Sequence, residues 1–273
     1  MRDHRRLRTC WWRSLKAGHL LQPLPGIAMD AGLVDDRYAW IRAVALWNPN
    51  AVIAARAAAA IDFDEDAKLD TISVFVDRPM KNRGPIRFFR TALDVDLLHW
   101  KNELRITRPA ATAITAGLEG DLVPGTTALR KGRTTPAKIT AAAQSWPQRS
   151  RKQALELAHD LSQNPWSPAE VDAHRLFREA GIRGWRGNVP VTLDGQRFVP
   201  DISIEDARIA FEVNSFEFHG TQRAMEEDSS RLNRFLANRW RSYTLTPRQI
   251  RDHRDETKHF VRSVVWARHR LRV

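Results

Sequence analysis

Two acidic residues lie in neighbouring predicted strands of the C-terminal part of the sequence. Asp201 belongs to residues 199–204 and Glu212 belongs to residues 208–214, with a short turn between the two segments. An Asp at the end of one strand and a Glu near the end of its hairpin partner can converge on one point. Two converging carboxylates form an oxygen-rich site of the kind that holds Mg²⁺ against phosphate groups. The spacing therefore predicts a site for Mg²⁺ or Mn²⁺.

The residues around Glu212 favour a functional role for its carboxylate. It lies between Phe211 and Val213 in an otherwise apolar strand. A carboxylate that faces inward at such a position is costly without a partner. The alternative interpretation is that Asp201 caps a turn beside the hairpin and that Glu212 is a charge on an edge strand.

Two further polar residues follow Glu212 along the chain. Asn214 can accept a hydrogen bond from water or bind a metal through its amide oxygen, but it cannot act as a general base. His219 has the chemistry of a general base or of a ligand for a phosphate oxygen. A solvated loop histidine is the alternative for His219.

The elements that must position these residues begin at Ser167. Ser167, Pro168 and Glu170 have the types and spacing of a capping box with proline in the first helical turn, so a helix is expected to start there and to end at Gly181. Asp194-Gly195 is a hairpin turn signal. The order of predicted elements up to the C-terminus is α-β-β-β-α-β-α, which describes a compact α/β domain.

This C-terminal region resembles a PD-(D/E)XK nuclease, the superfamily of restriction-enzyme-like folds. Within it, the region looks most like an uncharacterised bacterial family similar to very-short-patch repair endonucleases. The resemblance extends over roughly a hundred residues. It rests on the following positions: Ser167-x-x-Glu170, Pro200-Asp201, Glu212-Val213-Asn214, His219, Asp228-x-x-Arg231 and Trp240.

The resemblance implies roles for these residues. It makes Asp201 and Glu212 the metal-binding and catalytic carboxylates, and it adds Glu170, which often joins the metal site in this superfamily. The capping box explains Glu170 equally well. Asn214 departs from the pattern, because the superfamily has Lys there and the close family usually has Asp. The site is therefore either active with altered metal affinity or degenerate.

The charge of the chain points to a polyanionic partner. The 273 residues carry a formal net charge of +12, supplied mostly by arginine, which makes bidentate contacts with phosphates. Four arginines of the C-terminal region are candidates for nucleic-acid binding: Arg231, Arg234, Arg241 and Arg248. The alternative role for Arg231 is an ion pair with Asp228 on the same helix face. Trp240 is expected in the core. DNA is favoured over RNA as the partner.

The remaining sequence predicts the domain organisation and the cellular setting. Residues 1–35 resemble a degenerate winged helix, residues 36–133 a small α/β antitoxin-like region of the abortive-infection type, residues 134–166 a helical linker, and residues 167–273 the nuclease-like domain. Residues 117–133 are expected to form a loop, and residues 51–61 one helix. The single cysteine, Cys10, and the absence of a membrane-length apolar run predict a cytoplasmic protein without a membrane partner. The sequence leaves the oligomeric state open.

The expected fold class is therefore α/β, with a restriction-endonuclease-like mixed sheet flanked by helices in the C-terminal domain. The expected function is metal-dependent hydrolysis of phosphodiester bonds in DNA. The alternative is a DNA-binding regulator or antitoxin-like protein whose nuclease domain is catalytically degenerate.

Overall fold

The computed structural model describes the backbone of residues 2–214 and 222–270, and the side chains of residues 9–214 and 229–268. The chain divides into two compact units, Met1–Ala158 and His159–Val273. Within the described ranges, no helix combines the length and the apolar character that crossing a membrane requires.

The helices and strands alternate along the chain. The helices longer than one turn are α1 (Arg2–Lys16), α2 (Arg37–Trp47), α3 (Ala55–Asp62), α4 (Pro109–Leu118), α5 (Val123–Arg130), α6 (Pro136–Gln144), α7 (Arg151–Asp160), α8 (Pro168–Glu179), α9 (Gln222–Ala237), α10 (Pro247–Asp252) and α11 (Arg254–Arg270). The strands are β1 (Leu20–Leu24), β2 (Ile27–Asp30), β3 (Val52–Ala54), β4 (Ile72–Val76), β5 (Ile86–Arg90), β6 (Leu98–Lys101), β7 (Leu104–Thr107), β8 (Arg186–Gly187), β9 (Val191–Leu193), β10 (Gln196–Phe198), β11 (Ile202–Ile204), β12 (Ile209–Val213) and β13 (Arg241–Leu245).

The N-terminal unit is built on a five-stranded mixed sheet with the strand order β5-β4-β3-β7-β6. The β1–β2 hairpin, α2 and α3 contribute apolar side chains to the core on this sheet, together with the buried strand residues Ile53, Val74 and Ile106. Short apolar strands with β-branched residues form the centre of this sheet because they can be buried on both faces.

Two local predictions for this unit are wrong. Residues 51–61 do not form one helix, because Val52–Ala54 is a strand between β4 and β7 and the helix begins at Ala55. The β-branched pair Val52-Ile53 gains cross-strand packing that exceeds the helix propensity of the surrounding alanines. Residues 117–133 are not all loop, because Val123–Arg130 is helical.

The helix α5 forms in spite of its proline and glycine. Pro124 lies in the first turn, where a missing N–H breaks no helical hydrogen bond. The following turn is buried, and the Thr126 hydroxyl donates to the Leu122 carbonyl oxygen at 3.1 Å. Ala128 packs with Ala59 and Phe63. Burial of small residues therefore outweighs the weak local preference for a helix.

The C-terminal unit has a central four-stranded mixed sheet with the order β13-β12-β11-β8. The pair β12–β13 is parallel, whereas β11 pairs antiparallel with both β12 and β8. Residues of α8, α10 and α11 pack on one face of this sheet. Residues of α9 and the β9–β10 hairpin pack with Ala210 on the other. A mixed sheet flanked by helices confirms the predicted α/β fold class.

The alternation of side chains along β12 separates these two layers. Ile209, Phe211 and Val213 belong to the core with α8 and α11. Ala210 belongs to the opposite core with Phe235 of α9. Because successive side chains of a strand point to opposite faces, the Glu212 side chain lies on the α9 face of the sheet.

Candidate active site

The register of the β11–β12 hairpin brings Asp201 and Glu212 together. Ile202 pairs with Phe211, Ser203 with Ala210 and Ile204 with Ile209. Continuing this antiparallel register by one residue places Asp201 opposite Glu212. Residues directly opposite each other share a face, with Cβ atoms about 4.5–5.5 Å apart. The hairpin therefore presents both carboxylates side by side on the α9 face.

Each carboxylate has a defined partner. Oδ2 of Asp201 accepts a hydrogen bond from the Val213 backbone N–H at 2.7 Å. Oε1 of Glu212 accepts one from Nη2 of Arg231 at 2.5 Å, and the same nitrogen lies 3.4 Å from the Val199 carbonyl oxygen. Glu212 is largely buried, with 15% of its side chain exposed. Arg231 of α9 therefore supplies the positive charge that faces this carboxylate pair.

The two carboxyl groups hold their protons more tightly than ordinary ones do. Burial raises the pKa of Asp201 to about 6, and the negative charge of Glu170 acts in the same direction. Burial also raises the pKa of Glu212 to about 8, with repulsion from Asp201 as the second cause, while the charge of Arg231 opposes the shift. Such neighbouring groups titrate as a coupled pair. Negative charge on this pair is costly, and a cation between the carboxylates would remove that cost.

Glu170 lies near the pair but is held by other groups. It is buried, and its Oε2 accepts hydrogen bonds from the Trp166 backbone N–H at 2.8 Å and from Nδ2 of Asn188 at 2.5 Å. The Ser167 hydroxyl oxygen accepts from the Glu170 backbone N–H at 3.2 Å. The predicted capping box is therefore only half formed, because the Glu170 carboxylate bonds to residue 166 instead of residue 167.

The sequence offered only a weak signal for Asn188, whose side chain fixes Glu170. Its Nδ2 donates to Glu170 and also to the Asn164 carbonyl oxygen at 3.0 Å. The structure ends β8 at Gly187 and gives Asn188 a left-handed conformation with φ of 50°. Asparagine tolerates that conformation better than most residues do. A Gly-Asn pair before a strand was the one available hint.

A buried histidine lies beneath this region. His174 of α8 is fully buried and packs against the Trp185 ring with centroids 4.9 Å apart. Burial lowers its pKa to about 3, and the charge of Arg178 adds to the effect. Gly187 permits this packing, because a Cβ there would lie 2.8 Å from Nε2 of His174 and 2.2 Å from the Gln163 carbonyl oxygen. A neutral His174 therefore serves as part of the core.

The other predicted site residues differ in position. Asn214 directly follows β12, is half-buried, and its backbone N–H donates to the Leu245 carbonyl oxygen at 3.0 Å. His219 lies outside the described residues, as does the side chain of Asp228. In the described part of the chain, no group of three or more His, Cys, Asp or Glu side chains has the geometry of a metal site. The structure thus brings together Asp201 and Glu212, with Asn214 two residues further on.

The four candidate arginines do not form one patch. Arg231 contacts Glu212, and Arg234 lies over the Phe198 ring at 6.0 Å from its centroid. Arg248 follows β13 at the end where Leu245 pairs with Val213. This end of the sheet also holds Asp201 and Glu212, and we call it the carboxylate end. Arg241 pairs with Ile209, three residues before Glu212, which is about 10 Å away along the strand.

The burial of Trp240 agrees with its predicted place in the core. It is 7% exposed and packs edge to face with Phe235 at a centroid distance of 6.0 Å. Its ring is therefore unavailable for stacking on a base.

Comparison with known proteins adds little to this geometry. No protein-family model matches the chain, and no curated protein matches it either. Among solved structures, the chain is similar to the catalytic domain of the homing endonuclease I-Bth0305I. The two share 16% sequence identity with a TM-score of 0.29, over 37% of this chain and 97% of the neighbour. A similarity with a TM-score this low gives no information about function.

Proposed function

We propose that the C-terminal unit is a metal-dependent endonuclease of the PD-(D/E)XK type that hydrolyses phosphodiester bonds in DNA. The observation that carries the proposal is the carboxylate pair on the β11–β12 hairpin. Asp201 and Glu212 share one face of the sheet and are largely buried, and the charge of Asp201 raises the pKa of Glu212. Repulsion between neighbouring buried carboxylates is typical of functional sites, since a structure gains nothing from it alone.

The oxygen atoms available suit Mg²⁺ or Mn²⁺. Mg²⁺ is usually bound by one or two carboxylates together with water and substrate phosphate oxygens. Among the described residues, Oδ1 of Asp201 has no hydrogen-bond partner, because the Val213 N–H bonds to Oδ2. Glu212 supplies the second carboxylate, and its contact with Arg231 must loosen when a cation binds. The two carboxylates of this hairpin agree with this preference.

Several residues of the chain have separate roles in the proposed hydrolysis. A bound divalent cation supplies Lewis acidity to the scissile phosphate and lowers the pKa of the attacking water. Asp201 and Glu212 hold the site, and Asn214 accepts a hydrogen bond from the attacking water and so orients it. His219 remains a proposed general base. In this proposal Arg231, released from Glu212, contacts a phosphate oxygen with its guanidinium.

The DNA backbone is proposed to run along the carboxylate end of the sheet. Arg248 lies at that end, and Arg234 lies on α9 one turn beyond Arg231. Contacts of this kind release counterions, so the affinity for DNA falls steeply as salt rises. In this proposal Arg241, at the other end of β13, contributes less.

Plasmid cleavage tests the proposal. Supercoiled DNA is incubated with the full chain in Mg²⁺, Mn²⁺ or EDTA, and nicked and linear products are measured. Wild type is expected to cleave only with a divalent cation, and Asp201→Asn and Glu212→Gln are expected to lose at least about a hundredfold in rate. The matched control is Glu205→Gln, an exposed residue in the turn of the same hairpin. Equal cleavage by wild type and Glu212→Gln would refute the assignment.

Two specific observations favour a second function. Asn214 replaces the residue that the resemblance assigns to catalysis, and Glu212 already has Arg231 as a partner without a metal. Together they fit a DNA-binding regulator with a degenerate nuclease domain, preceded by the proposed antitoxin-like region at residues 36–133. This alternative predicts DNA binding that needs no divalent cation and survives Glu212→Ala. A fluorescence anisotropy titration in EDTA, with a duplex and with RNA of the same sequence, distinguishes these cases.

A further inference from the structure

A cavity of about 410 Å³ lies inside the N-terminal unit. The first turn of α4 forms one wall and α6 forms another, with Leu97 as an apolar contribution from the segment before β6. This volume lies within the range of small-molecule sites, about 300–1,000 Å³. The cavity is therefore large enough to enclose a small organic ligand.

The charged side chains that line the cavity are mainly basic. Arg108 lies at the start of α4, Arg133 precedes α6, and Lys138 lies in the first turn of α6. Asp96 is the one acidic residue in the lining. Arg133 shares part of its charge with Asp62, whose Oδ1 accepts from Nη2 at 3.2 Å. Three cations around one cavity favour an anion.

Two neutral donors add to this charge. Thr134 lines the cavity and is 4% exposed, and its hydroxyl has no hydrogen-bond partner among the described residues. A buried hydroxyl without a partner is costly. No described side chain caps α4, so the backbone N–H of Ala110 in its first turn stays available at the wall, whereas Ala111 is fully buried. Uncapped N–H groups at a helix start are suited to bind phosphate.

We infer that this cavity binds a small organic phosphate of nucleotide size. Arg108 and Lys138 contact the phosphate oxygens, and Ala110 in the first turn of α4 donates its backbone N–H to them. Thr134 supplies the missing hydrogen bond from the floor. A backbone phosphate of a duplex fits this arrangement poorly, because the hydroxyl of Thr134 lies below the surface.

Thermal unfolding of the full chain tests this inference. The probes are adenosine monophosphate, pyrophosphate, inorganic phosphate and adenosine, each added at the same concentration without divalent cations. Adenosine monophosphate and pyrophosphate are expected to raise the melting temperature and adenosine to leave it unchanged. Calorimetric titration of adenosine monophosphate should then show at least about tenfold weaker binding to the double variant Arg108→Gln, Lys138→Gln.

Two controls make the result specific. Arg42→Gln removes an exposed cation of α2 outside the cavity and should bind the probes like wild type. Thr134→Val removes the unpartnered hydroxyl at nearly constant volume, so it should raise the melting temperature without ligand and still weaken binding. The inference is overturned if adenosine acts as strongly as adenosine monophosphate, or if neither the double variant nor Thr134→Val binds more weakly. It is also overturned if a short duplex displaces adenosine monophosphate at equal phosphate concentration.

Discussion

Replacing Glu212 with glutamine should stabilise the protein when no divalent cation is present. The pKa of Glu212 is raised from 4.5 to about 8, mainly by burial and by repulsion from Asp201. At pH 7 the folded chain must therefore protonate a group that is ionised in the unfolded chain. At about 1.4 kcal/mol per pKa unit, this protonation costs about 3 kcal/mol at pH 7. Glutamine resembles the protonated acid in shape and avoids that cost.

The pH dependence of the difference follows from the direction of the pKa shift. A folded pKa above the unfolded pKa means that the folded state binds more protons between them. The free energy of unfolding of the wild type therefore falls as the pH rises from about 4.5 to about 8. Glu212→Gln lacks this contribution. The variant should match the wild type near pH 4 and exceed it by a growing margin up to pH 8.

Urea unfolding in EDTA at pH 4.5, 6, 7 and 8 measures this margin. Pulse labelling of the β12 amides with deuterium reports the C-terminal unit by itself. Adding Mg²⁺ should stabilise the wild type, by about 2.7 kcal/mol at a hundred times its dissociation constant, and should leave the variant unchanged. Glu205→Gln, in the exposed turn between β11 and β12, should differ from the wild type by less than about 0.5 kcal/mol. A variant that is less stable at every pH, or a margin independent of pH, would refute the reasoning.

Three further predictions concern the surroundings of this pair. Gly187→Ala should lower the free energy of unfolding by about 1–3 kcal/mol in urea titrations, because its Cβ would lie 2.2 Å from the Gln163 carbonyl oxygen. Arg248→Gln should reduce the slope of log affinity for duplex DNA against log salt by about 1, and Arg241→Gln by less, since only Arg248 lies at the carboxylate end. Asn214→Lys should raise the rate of plasmid nicking by about tenfold or more, because a lysine there would orient water and stabilise charge; an unchanged rate contradicts that role.

The position of the carboxylate pair could be predicted from the sequence because strand geometry is local. The period of two along β12 puts Glu212 on the face opposite Phe211. The short turn after Ile204 then sets the register that brings Asp201 across from it. The alternation of apolar residues and the short turn together determine how the two strands pair. The pairing of Asp201 with Glu212 could therefore be predicted without information about distant parts of the chain.

The partners of these groups could not be predicted in the same way. Arg231 is 19 residues from Glu212, and Asn188 is 18 residues from Glu170. Local spacing suggested a pair between Arg231 and Asp228 on one helix instead. Contacts between elements depend on how helices pack on the sheet. When a side chain also has a possible partner nearby in the sequence, the sequence does not indicate its distant partner. The strand β3 was not predicted because the burial of its side chains in the sheet outweighs the helix propensity of the neighbouring alanines.

The raised pKa values also separate the two candidate functions. A proton and a divalent cation compete for the same carboxylate pair, so metal binding and cleavage should rise with pH through about 6 to 8. Metal-independent DNA binding should follow the opposite course. Ionising Asp201 and Glu212 adds negative charge beside the phosphates, and repulsion then weakens the complex as the pH rises. A nuclease and a regulator built on this hairpin therefore respond to pH with opposite sign, whatever the role of Asn214.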